Sequence, residues 1–283
     1  MSDGPAIVFF GTFISVEILE HMQKADLLPR LIVTAPDKPK GRGLNTAPAP
    51  VVVWANEHGI PVIQPETLNP VPKELKTQPW DLFVVVGYGT ILPKAVLDLP
   101  AHGVINVHPS LLPELRGPSP IRTAILEDKK TTGVTVMLLD EKMDHGPIIA
   151  QARVEIDGWP PKASLLEELL ADVGGELLVD TIIPWINGDI TPEEQKHERA
   201  TYSKKIKKDD GLIDLENDPY QNYLKIQALE GWPGTYFFVQ KGNKRIRVKI
   251  ADAEYANGVL TVTRVIPEGK KEMSYEDFKR GLN

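Results

Sequence analysis

Short apolar runs alternate with helical patterns through the first two-thirds of the chain. Ala6–Phe10 is a continuous apolar run, followed by a turn at Gly11–Thr12 and an amphipathic pattern near Ser15–Lys24. Leu31–Thr34 is a second such run, and a helical pattern around Val51–His58 leads to a strand-like segment at Pro61–Gln64. Leu82–Val86 and Val104–His108 are further strands, the first of them apolar throughout, as expected of a strand covered on both faces. A helix over Ile121–Asp128 precedes strands at Gly133–Leu139 and Ile148–Ile156. Leu165, Leu166, Leu169, Leu170, Val173 and Leu177 then recur at three- and four-residue spacing and predict a helix over Ala163–Ile183. This alternation predicts a doubly wound α/β fold, Rossmann-like, around a mostly parallel sheet. Functional groups in such sheets gather outside the carboxyl ends of the strands. The residues after Phe10, Thr34, Val86 and Val107 are therefore expected on one rim.

The pattern changes after Asn187. The polar stretch beyond it has no clear periodicity, and residues 189–208 are expected to form a linker between an α/β domain over 1–188 and a smaller domain over 209–283. In the latter, Tyr220–Leu229 reads as a short helix. Tyr236–Val239, Ile246–Ala251, Gly258–Thr263 and Arg264–Pro267 read as short strands divided by turn residues such as Asn257–Gly258. A small β-barrel of the oligonucleotide-binding kind fits that spacing.

Composition narrows the class. The 283 residues are 42% hydrophobic and 25% charged, ordinary for a globular chain. With no cysteine, disulfides and thiolate metal sites are excluded. The first apolar run is too short for a signal peptide and lacks a basic region before it. No apolar stretch approaches the roughly 20 residues of a spanning helix, so a cytoplasmic protein without a membrane partner is expected. A monomer is the expectation for its assembly, though the residues themselves do not give the oligomeric state. The net charge of −7 is unevenly distributed: residues 1–195 carry 15 Lys+Arg against 26 Asp+Glu, whereas residues 196–283 carry 17 against 13. Such a chain could hold a polyanion at its basic end while the acidic half does other work.

The polar residues at strand ends carry the chemistry. In Gly103–Ser110, Asn106 and His108 share one strand face while Ile105 and Val107 share the other. An amide and an imidazole at the end of a buried strand are candidates for a reacting centre. The next loop, Ser110-Leu111-Leu112-Pro113 through Arg116-Gly117, is punctuated by proline and partly apolar, and could wall a pocket for a flat ligand. After the strand Gly133–Leu139 comes Asp140 to Pro147, in which Asp144 is placed to act on His108. A metal reading of His108, Asp144 and His145 matches no compact ligand spacing, and no metal is expected. Gly87-Tyr88-Gly89, with Ile91 beyond, lacks the third glycine and the acidic residue of a dinucleotide site, so a nicotinamide cofactor is rejected. Its exposed backbone groups still suit a flat heterocycle.

Asn106-Val107-His108-Pro109-Ser110-Leu111-Leu112-Pro113, then Arg116-Gly117, then Asp144 with Gly146-Pro147, resembles the signature of the folate-dependent formyltransferases. The likeness implies 10-formyltetrahydrofolate as formyl donor, Asn106, His108 and Asp144 as catalytic residues, and Ser110–Pro113 with Gly87, Tyr88, Gly89 and Ile91 as the folate site. It extends over most of the chain and points to the branch whose acceptor is methionyl-tRNA, the initiator of translation. Lys38, Lys40 and Arg42, in the long loop Ala35–Pro48, are similar to residues that meet the tRNA acceptor end. Lys204, Lys205 and Lys207 resemble the start of a tRNA-binding domain, and Arg245 and Arg247, alternating on a strand with Lys249, are expected to follow its phosphates. Phe13 stands where that family usually has proline, His145 replaces a smaller residue, and the second domain is short. In the mechanism this implies, Asn106 and a protonated His108 donate to the developing oxyanion, with Asp144 keeping His108 cationic.

Overall fold

The computed structural model describes residues 4–12, 15–37 and 48–282. Phe13 and the three basic residues of the long loop, Lys38, Lys40 and Arg42, lie outside the described residues. The chain runs β1 (Ile7–Gly11), α1 (Val16–Lys24), β2 (Leu31–Val33), α2 (Pro50–Glu57), β3 (Val62–Ile63), β4 (Leu82–Val86), α3 (Lys94–Leu97), β5 (Val104–His108), α4 (Pro120–Leu126), β6 (Thr131–Leu138), β7 (Ile148–Glu155) and α5 (Ala163–Asn187). It continues with α6 (Pro219–Ala228), β8 (Tyr236–Lys241), β9 (Lys244–Ala256), β10 (Val259–Pro267), β11 (Met273–Ser274) and α7 (Tyr275–Arg280).

The larger sheet has the order β3-β2-β1-β4-β5-β6-β7. Pairing is parallel from β3 to β5 and turns antiparallel between β5 and β6, where His108 faces Thr135 and Asn106 faces Met137. The parallel strands are apolar because helices leave neither face to water. On one side Phe10, Phe83, Trp80 and Tyr88 pack into a single cluster, with Phe10 and Phe83 centroids 5.4 Å apart. On α5, a Cβ added at Gly174 would come within 3.0 Å of Val107, so glycine there lets the helix lie close to β5. That covers one face of β5 and leaves Asn106 and His108 on the other.

Strand ends are stitched together at the rim. Ser15 Oγ donates to the Val86 carbonyl at 3.2 Å and accepts from Thr12 N–H at 2.7 Å, while Thr12 Oγ1 donates to the Gly87 carbonyl at 2.9 Å. The ends of β1 and β4 are thereby fixed beside that of β5.

Residues divide into two compact units, and the division does not fall at one point in the chain. The first comprises 1–118, 132–154 and 168–202; the second comprises 119–131, 155–167 and 203–283. The stretch expected as a linker therefore splits, with 189–202 packing into the first unit. Its lack of periodicity has a physical reason: most of its side chains are exposed, and Gln195, His197, Thr201 and Tyr202 make polar contacts rather than an apolar stripe. The second unit carries an antiparallel sheet of order β11-β10-β9-β8. Val248, Ile250, Phe237, Val265 and Phe278 form its core. Val259–Pro267 is one continuous strand rather than two, with a register shift near Arg264 at the expected break. Among the described residues no helix is long and apolar enough to cross a membrane.

Phe83 is fully buried between Phe10 and Trp80. Phe83→Ala is expected to cost about 3–5 kcal/mol. In urea titration the midpoint should fall accordingly, and an unchanged midpoint would show that the aromatic cluster does not support the larger sheet.

Candidate active site

The end of β5 places two polar side chains in a buried setting. Asn106 is 8% exposed, and among the described residues its amide has no hydrogen-bond partner. The amide is not a fully enclosed unpaired group, so it reaches open space at the strand end, where a ligand oxygen could meet its N–H.

His108 is also buried. Its Nε2 lies 3.1 Å from the Leu115 carbonyl. A carbonyl only accepts, so Nε2 carries the hydrogen and Nδ1 keeps the lone pair of the neutral ring. Nδ1 faces Asp144 Oδ1 at 3.8 Å, too long for a hydrogen bond but close enough for a charge to be felt. Burial pushes the imidazole below its ordinary value of 6.5, with Arg116 acting the same way; Asp144 and the Leu115 carbonyl pull upward without overcoming it. This corrects the expectation from sequence. Asp144 does not hold the resting imidazole cationic, and the tautomer is chosen by Leu115 rather than by Asp144, because desolvation outweighs one carboxylate at that distance.

Asp144 is itself held. Its Oδ2 accepts from Gly117 N–H at 2.6 Å, and its backbone has φ +48. Gln195 Nε2 donates to the carbonyls of Asp144 at 3.0 Å and Gly146 at 2.7 Å. Gln195 Oε1 in turn accepts from Arg116 Nη2 at 2.6 Å and Nε at 3.1 Å. Arg116, only 1% exposed, also meets His197 Nδ1 at 2.9 Å and the Tyr202 hydroxyl at 3.4 Å. His145 is drawn into the same layer, bonded to Asp140 Oδ2 at 2.7 Å and stacked on His197 at 4.1 Å.

The residues expected to meet a flat heterocycle fall into two groups. Gly87 and Gly89 are exposed, with φ +59 and +75, and turn the backbone outward after β4. Ile91 is 67% exposed, so this edge offers backbone polar groups beside an apolar side chain. That combination suits a flat, partly apolar heterocycle. The Tyr88 ring does not contribute, since it is buried edge-on against Phe10 at 5.5 Å. Ser110 is likewise spent internally, its Oγ donating to the Glu114 carbonyl at 2.6 Å. Leu112 is buried, while Leu111 and Pro113 are half-buried and line the loop's open side. Thr135, opposite His108, anchors that loop by donating to the Ser110 carbonyl at 2.6 Å and accepting from Leu112 N–H at 3.1 Å. Gln151 donates to both Thr135 and the Leu112 carbonyl at 2.9 Å.

Sequence reasoning misses Thr135, Gln151 and Gln195. Thr135 carries a signal, a hydroxyl inside an apolar strand; Gln195 carries none, lying in an aperiodic polar stretch.

The second unit carries two exposed groups of basic residues. Lys204, Lys205 and Lys207 are exposed at its start, as are Arg245 and Arg247 on β9. Arg247 lies 3.7 Å above the Tyr236 ring and Arg245 lies 4.0 Å above that of Phe238. Stacked guanidiniums of this kind hold their forks outward for phosphates.

Comparison with known proteins adds to this geometry. Residues 6–182 match the family model described as formyl transferase, and residues 205–258 match formyl transferase, C-terminal domain. The chain is similar to the methionyl-tRNA formyltransferase of Bacillus subtilis strain 168, 39% identical over 98% of this chain and 95% of that one. It is also similar to that of Chloroflexus aurantiacus, 41% identical over 90% of this chain and 84% of that one. Among solved structures, an N-formyltransferase from Helicobacter canadensis, in complex with folinic acid and dTDP-3-aminofucose, superposes with a TM-score of 0.66. It covers 95% of this chain and 98% of its own, at 19% identity, a likeness of fold.

The sign of the His108 shift sets a test. A depressed folded value favours the neutral ring, so its contribution to stability is present above 6.5 and is lost as pH falls through the lower folded value. In an NMR titration of the imidazole the midpoint should lie below 6.5, and Asp144→Asn should lower it further by removing the upward pull. A midpoint above 6.5 would overturn the neutral assignment.

Proposed function

The chain belongs to the formyltransferase family, and we propose that it moves a formyl group from 10-formyltetrahydrofolate to the free α-amino group of methionyl-tRNA. The observation that carries the chemistry is the Asn106 amide, without a partner among the described residues, on the same strand face as a neutral His108. The acceptor is supported by the similarity to methionyl-tRNA formyltransferases along nearly the whole chain, second unit included. Translation initiation in the cytoplasm is the setting such an activity implies.

The bound folate supplies an activated formyl carbon. Asn106 donates its amide N–H to the formyl oxygen as negative charge grows there, and a preorganised donor of that kind is typically worth about 10²–10³ in rate. His108, with Nε2–H already committed to Leu115, takes the proton of the attacking amine at Nδ1. The imidazolium so formed faces the Asp144 carboxylate, which is fixed at 3.8 Å in advance and stabilises it. His108 then delivers the proton to the departing nitrogen. Gly87, Gly89 and Ile91, with Leu111 and Pro113, hold the heterocycle. Lys38, Lys40 and Arg42 are proposed to meet the acceptor end of the tRNA, and Arg245, Arg247 and the Lys204–Lys207 group its backbone.

Purified protein given a formylfolate donor should formylate methionyl-tRNA and leave an amino sugar nucleotide untouched. His108→Ala should reduce turnover by at least about 10²-fold while folate affinity stays within a few-fold. Preference for the sugar nucleotide would overturn the acceptor, and near-native turnover of the variant would overturn the role of His108.

A further inference from the structure

The second unit contains a cleft of about 180 Å³ that the proposed chemistry does not use. It is formed where the end of α6 meets β9 and the segment before β8. Two polar residues line it from deep burial: Gln227, 5% exposed, and Thr235, 2% exposed. Among the described residues neither the Gln227 carboxamide nor the Thr235 hydroxyl has a hydrogen-bond partner. Neither group is a fully enclosed unpaired atom, so both open into the cleft they line, with donors and acceptors available to whatever enters it.

The lining limits what that is. Lys162 is neutralised by Asp252 at 3.3 Å, and Glu230 lines the cleft along with Lys249, so there is no excess of positive charge to attract a phosphate. Ile226, Ile250 and Ile266 supply apolar walls. The volume is below the roughly 300 Å³ at which ordinary metabolite sites begin. A small, flat, uncharged group with donors and acceptors along one edge meets these conditions, and a nucleobase is such a group. A glutamine carboxamide offers a donor and an acceptor side by side, the pattern that pairs with a base edge.

The surroundings connect the cleft to the basic group on β9. Arg245, Arg247 and Lys249 alternate along that strand and share one face, and Lys249 also lines the cleft. Gly234, with φ +73, makes room for it, since a Cβ there would come within 2.4 Å of Lys249 Cε. A phosphate backbone lying along the two arginines would thus bring a base to the cleft at the Lys249 end.

We propose that this cleft receives one unstacked nucleobase of the RNA acceptor, its edge bonded by Gln227 and Thr235. The proposal rests on the tRNA reading above and deepens it. The test uses the full-length protein with methionyl-tRNA and compares Gln227→Leu, Thr235→Val and Arg247→Ala across a range of potassium chloride. Gln227→Leu should raise KM roughly five- to fiftyfold with kcat unchanged and with the ratio constant in salt, because the lost bond is uncharged. Arg247→Ala should raise KM and reduce the salt slope by about one. If Arg247→Ala raises KM while Gln227→Leu and Thr235→Val do not, the cleft proposal is overturned and the tRNA reading stands. Absence of methionyl-tRNA formylation by the parent protein would remove both. Should Gln227→Leu not fold, the side-chain amide resonances of Gln227 in the parent decide: they should shift when uncharged tRNA is added, and unmoved signals overturn the proposal.

Discussion

Three consecutive residues, Leu115, Arg116 and Gly117, hold the candidate centre together. The Leu115 carbonyl orients His108, the Arg116 guanidinium grips Gln195, and Gly117 N–H holds the Asp144 carboxylate. Delivering three contacts in three directions needs an unusual backbone, with φ +57 at Leu115 and +110 at Gly117. For a leucine such a conformation costs on the order of 1–2 kcal/mol. It is kept in place because Thr201 accepts twice from the turn, through its Oγ1 from Leu115 N–H at 2.9 Å and through its carbonyl from Arg116 N–H at 2.9 Å. Leu115's own side chain is buried as well. Asp144 also adopts a positive φ, so strain lies on both sides of the His108–Asp144 pair, as is common where geometry is functional.

The electrostatic consequence is a resting state ready to accept a proton. A neutral His108 with its Nε2 hydrogen already placed leaves Nδ1 as the open lone pair, and Asp144 waits at a distance where it stabilises the charged ring more than the neutral one. Because the carboxylate is pinned by Gly117 and its loop by Gln195, little reorganisation accompanies that change of charge. Low reorganisation is the property that makes a preorganised site effective. Asn106, which has no partner among the described residues, complements this pair as a donor.

Much of this is legible in the residues. The continuous runs at Leu82–Val86 and Val104–His108 are strands with the expected limits, and period-two alternation assigns Asn106 and His108 to one face. What periodicity cannot report is the set of partners a buried polar group finds across the chain. Gln195, His197 and Tyr202 lie about 80 residues beyond Arg116 in a stretch with no pattern, so 189–202 reads as a linker although it completes the first unit. The charge state of His108 escapes the sequence for a related reason: a nearby carboxylate is visible there, but not how completely the imidazole is buried. A glycine-flanked turn suggests a ligand for Tyr88, yet its ring has a better partner in Phe10. The division of residues 119–131 and 155–167 to the second unit is equally hidden, because it depends on packing rather than on composition.

If the clamp on Asp144 sets the rate of the chemical step, loosening it must slow that step without touching binding. Single-turnover formyl transfer by Gln195→Leu, at saturating donor and methionyl-tRNA, isolates the step from binding and release. A displacement of the Asp144 loop by about 1 Å should slow it roughly 10²-fold, with the Kd for tRNA within a few-fold of the parent. A single-turnover rate equal to the parent's, in a folded variant, would contradict a rate-setting clamp.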